Sequence, residues 1–168
     1  MNATSPILVH ATSVVLGEAC TPFGGPVDAA VLLIGRSEAG KSDVALRLIA
    51  MGAKLISDDQ TALSDIGGRL HAGAPPSLHG RMEVRGIGII KVDAASPAPV
   101  ILAVRLDEAA PIPRLPEPLT HKLPQGLENC AEPAFLVLHA FEASTPMKIA
   151  AAASALARGA FVAGVSTS

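Results

Sequence analysis

Residues 35–42 read Gly35-Arg36-Ser37-Glu38-Ala39-Gly40-Lys41-Ser42 and fit the pattern G-x-x-x-x-G-K-[ST]. The spacing has a chemical reason. Glycines let the backbone curl so that successive N–H groups turn toward one anion. The start of a following helix adds partial positive charge. Lys41 can reach terminal phosphates, and the Ser42 hydroxyl can bind Mg²⁺. All eight residues are therefore candidates for nucleotide contact. A tight strand-to-helix turn without ligand is the plainer alternative, and it leaves Lys41 unexplained. Glu38 is discordant. A carboxylate about 4 Å from a phosphate charge costs on the order of 4 kcal/mol at an effective dielectric near 20. Its side chain must point into solvent or be bridged by a cation. A glycine there would also reach positive φ more cheaply.

Two further groups carry charge where such a loop could use it. Asp58-Asp59 closes a predicted strand over residues 54–57. Ligands of open α/β sheets gather at that edge. Neighbouring strand residues point to opposite sides, which predicts different jobs for the two acids. One would contact the metal or its water, and the other would accept a proton from an attacking hydroxyl. A solvated pair capping a turn is the alternative. Glu83-Val84-Arg85-Gly86-Ile87-Gly88 places an acid and a base on one strand face. Glu83 could hold Mg²⁺, and Arg85 could steady phosphoryl charge. The glycines would allow a bulge or close backbone approach. A surface ion pair beside a bulge is the alternative. His10 reads more simply as a partly buried structural residue. His71, His79, His121 and His139 show no metal-ligand spacing.

These residues need elements to position them. Residues 7–16 read as a first strand and the turn-rich 20–28 as a hairpin connection. The apolar run 29–34 is expected of a buried strand. A helix over about 41–51 follows, with Val44, Ala45, Leu48 and Ile49 on one face and Gly52 as its stop. Residues 60–63 and 69–72 flank a hairpin signal, Asp65-Ile66-Gly67-Gly68. Residues 82–85, 87–92, 100–106 and 134–140 read as further strands. Residues 107–133 hold six prolines and no periodicity, the mark of a functional or mobile loop. Ser144-Thr145-Pro146 opens a last helix that runs to about Arg158, and Gly159 ends it.

The 168 residues suit one domain over 1–168. With 49% apolar and 17% charged residues the chain is globular, not disordered. A net charge of −2 gives no basic footprint for nucleic acid. With no Trp or Tyr and only four Phe, a platform for single strands is not expected. Cys20 and Cys130 read as reduced thiols. No basic residue precedes Arg36, so no secretory signal is read. The apolar runs fall short of the roughly 20 residues a membrane span needs. The expectation is a cytoplasmic protein with neither nucleic-acid nor membrane partners.

In this order the residues resemble the catalytic domain of the HPr kinase/phosphorylase family. The likeness covers about residues 7–114 and continues more loosely to the end. It rests on Val9-His10, the 35–42 loop, Leu55-Ile56-Ser57-Asp58-Asp59, and Met82-Glu83-Val84-Arg85-Gly86-Ile87-Gly88-Ile89-Ile90. The resemblance implies a short form carrying the catalytic domain alone. Its fold would be an α/β P-loop domain like that of phosphoenolpyruvate carboxykinase, a mixed sheet flanked by helices. It implies transfer of phosphate from ATP, with Mg²⁺, to a serine of the carrier protein HPr. It also implies removal of that phosphate by inorganic phosphate, releasing pyrophosphate, and assembly as a hexamer. Asp59 resembles the residue that takes the seryl proton, and His10 the histidine set against the acid pair. Ser42 and Glu83 resemble the Mg²⁺ ligands. Arg114, in Pro113-Arg114-Leu115, falls where the family has an active-site arginine. An ATP-sensing regulator without transfer activity is one alternative. A small-molecule or carboxykinase-like P-loop enzyme, with residues 107–133 as its lid, is the other.

Overall fold

A computed structural model describes residues 5–165. Of the expected span 1–168, residues 1–4 and 166–168 lie outside the described residues. The chain runs β1 (Ile7–Gly17), β2 (Val27–Ile34), α1 (Lys41–Ala50), β3 (Lys54–Ser57), β4 (Gln60–Ile66) and β5 (Arg69–Gly73). It continues through β6 (Arg81–Val84), β7 (Gly88–Lys91), β8 (Ala98–Leu106), β9 (Ala134–Leu138) and α2 (Thr145–Arg158). A 3-10 segment over Glu18–Phe23 fills the expected connection between antiparallel β1 and β2.

The expected helix-flanked α/β sheet is not what forms. The protein is mainly β. Strands β2, β1, β4, β5 and β8 pair in that order, and β8 pairs back onto β2, closing a mixed five-stranded barrel. Closure rests on β5 meeting the start of β8, His71 opposite Pro99 and Ala72 opposite Ala98. Strand β9 extends the sheet beyond β8, parallel to it.

Alternation along the central strands explains both the expectation and its failure. In β2, Val31 and Leu33 face one core with α1 and α2, while Ala30 and Leu32 face a second core. Both faces are buried, so these strands read as continuous apolar runs, as a helix-flanked sheet would. The second core is the barrel interior, built from Ala11, Leu32, Ile56, Leu63, Leu70 and their neighbours. What covers that face is the sheet itself, curled until β5 reaches β8.

Residues 107–133 are corrected as well. They form no strand or helix, but they are not a free lid. Leu123, Leu127 and Cys130 are buried in the barrel core. A Cβ on Gly126 would come within 3.2 Å of the Ile7 side chain. The prolines suppress periodicity without preventing isolated apolar residues from plugging the barrel. At α2, Ser144 takes the N-cap position without a side-chain capping bond, and Gly159 closes the helix at φ 63. Cys20 and Cys130 are both free and buried. Burial raises the pKa of each thiol. Among the described residues, no helix is long and apolar enough to cross a membrane.

Leu127 is 2% exposed. Leu127→Ala should therefore cost about 2–4 kcal/mol, as a core truncation does. Urea denaturation measures it, and a cost near zero would return the segment to a mobile role.

Candidate active site

Strand β2 ends at Ile34 and α1 starts at Lys41, so residues 35–40 must turn the chain in a short arc. Gly40 is the N-cap of α1, at φ 93. A Cβ there would lie 2.6 Å from the Ala140 Cβ and 3.0 Å from the Phe141 ring. Only glycine meets both demands. The N–H groups of Lys41, Ser42 and Asp43 precede any intrahelical acceptor and stand as free donors at the helix start. Lys41 folds back over the arc, its Nζ donating to the carbonyls of Gly35 at 3.0 Å and Arg36 at 2.8 Å. Burial pushes the Lys41 pKa down, opposed by the negative charge of Asp59 and Asp58.

Asp58 and Asp59 do not end an isolated strand. Strands β3 and β4 both run antiparallel to β1, pairing Ser57 with Ser13 and Gln60 with His10. They are one strand in two pieces, and the acid pair is the interruption between them. An irregularity of this kind re-aims side chains beside a functional site. The Asp58 carboxylate turns inward, 6% exposed. Oδ1 accepts from Thr12 Oγ1 at 3.1 Å and Ser42 Oγ at 2.7 Å, and Oδ2 accepts from the Glu83 N–H at 3.1 Å. Asp59 turns outward, its side chain 69% exposed and paired with His10 Nδ1 at 3.3 Å. The two acids thus occupy different environments.

Glu83 lies on β6 between Met82 and Val84, which are buried, so its side chain faces the other way. Arg85 sits past the strand end, in the turn of the β6–β7 hairpin, rather than on one strand face with Glu83. Its Nη2 donates to Glu38 Oε1 at 3.0 Å. The Glu38 side chain is exposed, and Arg85 is the cation paired with it. Among the described residues, Glu38 and Asp59 are the only non-glycine residues at positive φ, both at 66°. Such a conformation costs roughly 1–2 kcal/mol. Both residues line one cavity of about 380 Å³.

That cavity gathers His10, Ser37, Gly40, Lys41, Ser42, Glu83 and Arg85 with them. Gly35, Arg36, Ala39 and Asp58 are not among the residues lining it; Asp58 reaches it through its bond to Ser42. Arg114 belongs to the segment 107–133 and is not among the residues lining the cavity. Two participants escaped the sequence. Thr12 is fully buried, and its hydroxyl also accepts the Asp59 N–H at 3.3 Å. A threonine in a strand is ordinary, so nothing marked it. Phe141, far along the chain from the other lining residues, lines the cavity from the turn after β9.

Ser42 Oγ, Asp59 and Glu83 offer hard oxygen donors to the cavity. Among the described residues, no group of three His, Cys, Asp or Glu side chains is gathered tightly enough to hold a metal ion. The donor set fits Mg²⁺ bound by one or two protein oxygens together with water and phosphates.

Residues 27–100 match the family model described as the HPr serine kinase C-terminal domain. HPr kinase/phosphorylase of Clostridium beijerinckii is 45% identical over 62 residues, which are 37% of this chain and 20% of that protein. The Clostridium tetani protein of the same name is 44% identical over 62 residues, again 37% of this chain and 20% of that protein. The matched stretch thus spans about a fifth of the curated relatives' length. The structure of the Hpr(Ser) kinase/phosphatase from Coxiella burnetii superposes with a TM-score of 0.69 at 23% identity. That match covers 91% of this chain and 95% of that one, and it shows a shared fold. The resemblance read from the sequence therefore holds across the loop, the acid pair and the Glu83–Arg85 hairpin. His10, Arg114 and Phe141 lie outside the 27–100 match.

The turn carrying Phe141 is clasped by His139, which bonds the Ala110 carbonyl through Nε2 at 2.8 Å and Glu142 through Nδ1 at 3.0 Å. The Ala110 carbonyl, then Glu142, raise the His139 pKa above its ordinary 6.5. Lys148, then His139, hold Glu142 below its ordinary 4.5. The His139 contribution is complete below 6.5 and fades as pH climbs through the raised value. That of Glu142 is complete above 4.5 and fades as pH falls through the lowered value. His139→Ala should thus lower Tm most between about pH 4.5 and 6.5 and least at about pH 8.5. Thermal melts across that range test it, and a flat difference would remove the charged clasp.

Proposed function

We propose that this chain, whose residues 27–100 resemble the HPr kinase/phosphorylase family, is an Mg²⁺-dependent, ATP-using serine kinase. Its acceptor is an HPr-like phosphocarrier protein, and the domain 1–168 works as the catalytic unit, assembled as a hexamer. The observation that carries the proposal is a convergence. The helix start at Gly40–Ser42, the Asp59–His10 pair and the Glu83–Arg85 hairpin face one cavity.

The phosphates of ATP dock on the free N–H groups of the helix start, where backbone dipoles favour an anion. Lys41 gives up its two carbonyl partners for phosphate oxygens, a stronger charge-assisted bond. Ser42 and Glu83 would hold Mg²⁺, which would supply charge neutralisation on the phosphates when bound. The seryl oxygen forms a bond to the terminal phosphorus, and the bond from that phosphorus to the bridging oxygen breaks to leave ADP. Asp59 takes the seryl proton. Environment selects Asp59 over Asp58. Asp58 already accepts three hydrogen bonds. Asp59 is mostly exposed, with His10 beside it to steer the carboxylate. Little covalent work falls to the protein; alignment and charge neutralisation dominate.

One observation favours the second reading, a nucleotide-sensing regulator. The Glu38–Arg85 pair occupies the cavity's polar rim with a carboxylate where phosphate charge would sit. A small-molecule kinase closed by residues 107–133 is less favoured, because that segment is committed to the barrel core.

With labelled ATP, Mg²⁺ and an HPr-like carrier, the chain should form phosphoserine. Asp59→Asn should leave ATP affinity within about twofold and cut transfer by about 10²–10⁴-fold. Full transfer by that variant would take the proton-acceptor role from Asp59. No transfer to any carrier, with ATP bound, would favour the regulator. Glu38→Gly should tighten inorganic pyrophosphate binding about tenfold at low salt, with the gain shrinking at high salt. Calorimetry measures it, and unchanged affinity would mean Glu38 does not compete for Arg85.

A further inference from the structure

We infer that Phe141 is a base-stacking residue that makes this site prefer a nucleoside triphosphate to a base-free polyphosphate. The inference rests on the reading of residues 40–42 as the phosphate dock. Phe141 is one of four phenylalanines in a chain without Trp or Tyr, and among the described residues it is the only phenyl ring lining the cavity. It is 60% exposed, so burial does not hold it in place.

What holds it is its backbone. Glu108 Oε1 accepts the N–H of Ala140 and, at 3.3 Å, that of Phe141. Arg47 of α1 donates to the carbonyl of Ala140 and, at 3.0 Å, to that of Glu142. The residues before and after Phe141 are thus fixed to α1 and to the segment after β8, while the ring stays bare. An uncovered aromatic ring carried on a fixed backbone costs less to place against a flat partner than one on a free loop. Its position names the partner. The ring lies against Gly40, about 3 Å from where a Cβ would stand. Phosphates seated on the N–H groups that follow Gly40 would carry their base one sugar away, within reach of that ring. Every nucleobase has a π-face, so stacking recognises the base as a class rather than one sequence of hydrogen bonds.

The test compares ATP with inorganic tripolyphosphate, which has the phosphates and no base. By calorimetry, Phe141→Ala should weaken ATP binding about tenfold and leave tripolyphosphate binding unchanged, the scale of one lost stack. Phe141→Trp should retain ATP affinity. It also introduces the chain's first tryptophan, whose fluorescence should be quenched by ATP and not by tripolyphosphate. Unchanged ATP affinity in Phe141→Ala overturns the inference. So does an equal loss for both ligands, which would make Phe141 a structural support of the loop. A wild-type chain that binds neither ligand overturns the phosphate reading, and this inference with it.

Discussion

The Asp58 carboxylate is the joint on which the site depends. Three donors reach it from three elements: Thr12 of β1, Ser42 of α1 and the Glu83 N–H of β6. Each donor also belongs to, or adjoins, a group that faces the cavity. A carboxylate that is nearly buried destabilises the fold unless it is hydrogen-bonded, and here both of its oxygens are. The consequence is geometric. The helix start, the strand that carries His10 and the hairpin that carries Arg85 are referred to one charged group. Their separations then follow from hydrogen-bond lengths rather than from loop positions.

Around that joint the molecule tolerates strain in a restricted place. Glu38 and Asp59, both at φ 66, carry the only non-glycine positive φ angles among the described residues. Each is a carboxylate on the cavity rim, and each has a cationic or imidazole partner, Arg85 or His10. Strained backbone tends to collect at functional sites, where surrounding structure over-determines it. For Asp59 the surroundings are explicit. Thr12 accepts its N–H and the Ala11 N–H donates to its carbonyl at 3.0 Å. The interruption between β3 and β4 keeps the acid pair in register with β1 while freeing both carboxylates from the sheet.

The barrel and the site are coupled through β1. Its first half pairs with β4 on the barrel side, and its second half pairs with β2 and β3 beneath the helices. Closing the barrel therefore fixes where His10 stands relative to Thr12 and Asp58. The segment 107–133 contributes from the far side, with Leu123 and Leu127 filling the interior that the curled sheet leaves.

The sequence by itself determined the local chemistry. The loop 35–42 between an apolar strand and an amphipathic helix and the acid pair after residue 57 were legible, whereas Arg85 was read onto a strand face with Glu83 and stands in the turn after it. Each is a short-range pattern, in which the residue types state the backbone they need: glycine for a left-handed turn, an apolar stripe for one helix face. Only the tertiary structure decided what those patterns face. Alternation in β2 and β8 reports that both sides are buried, and it is silent on whether a helix or the sheet's own far strands do the burying. Nothing local in Phe141, Glu108 or Thr12 marks them, because their roles arise from contacts between elements distant in the chain. Periodicity encodes that a face is covered; the closure of β5 onto β8 and the clasp on the 139–142 turn encode by what.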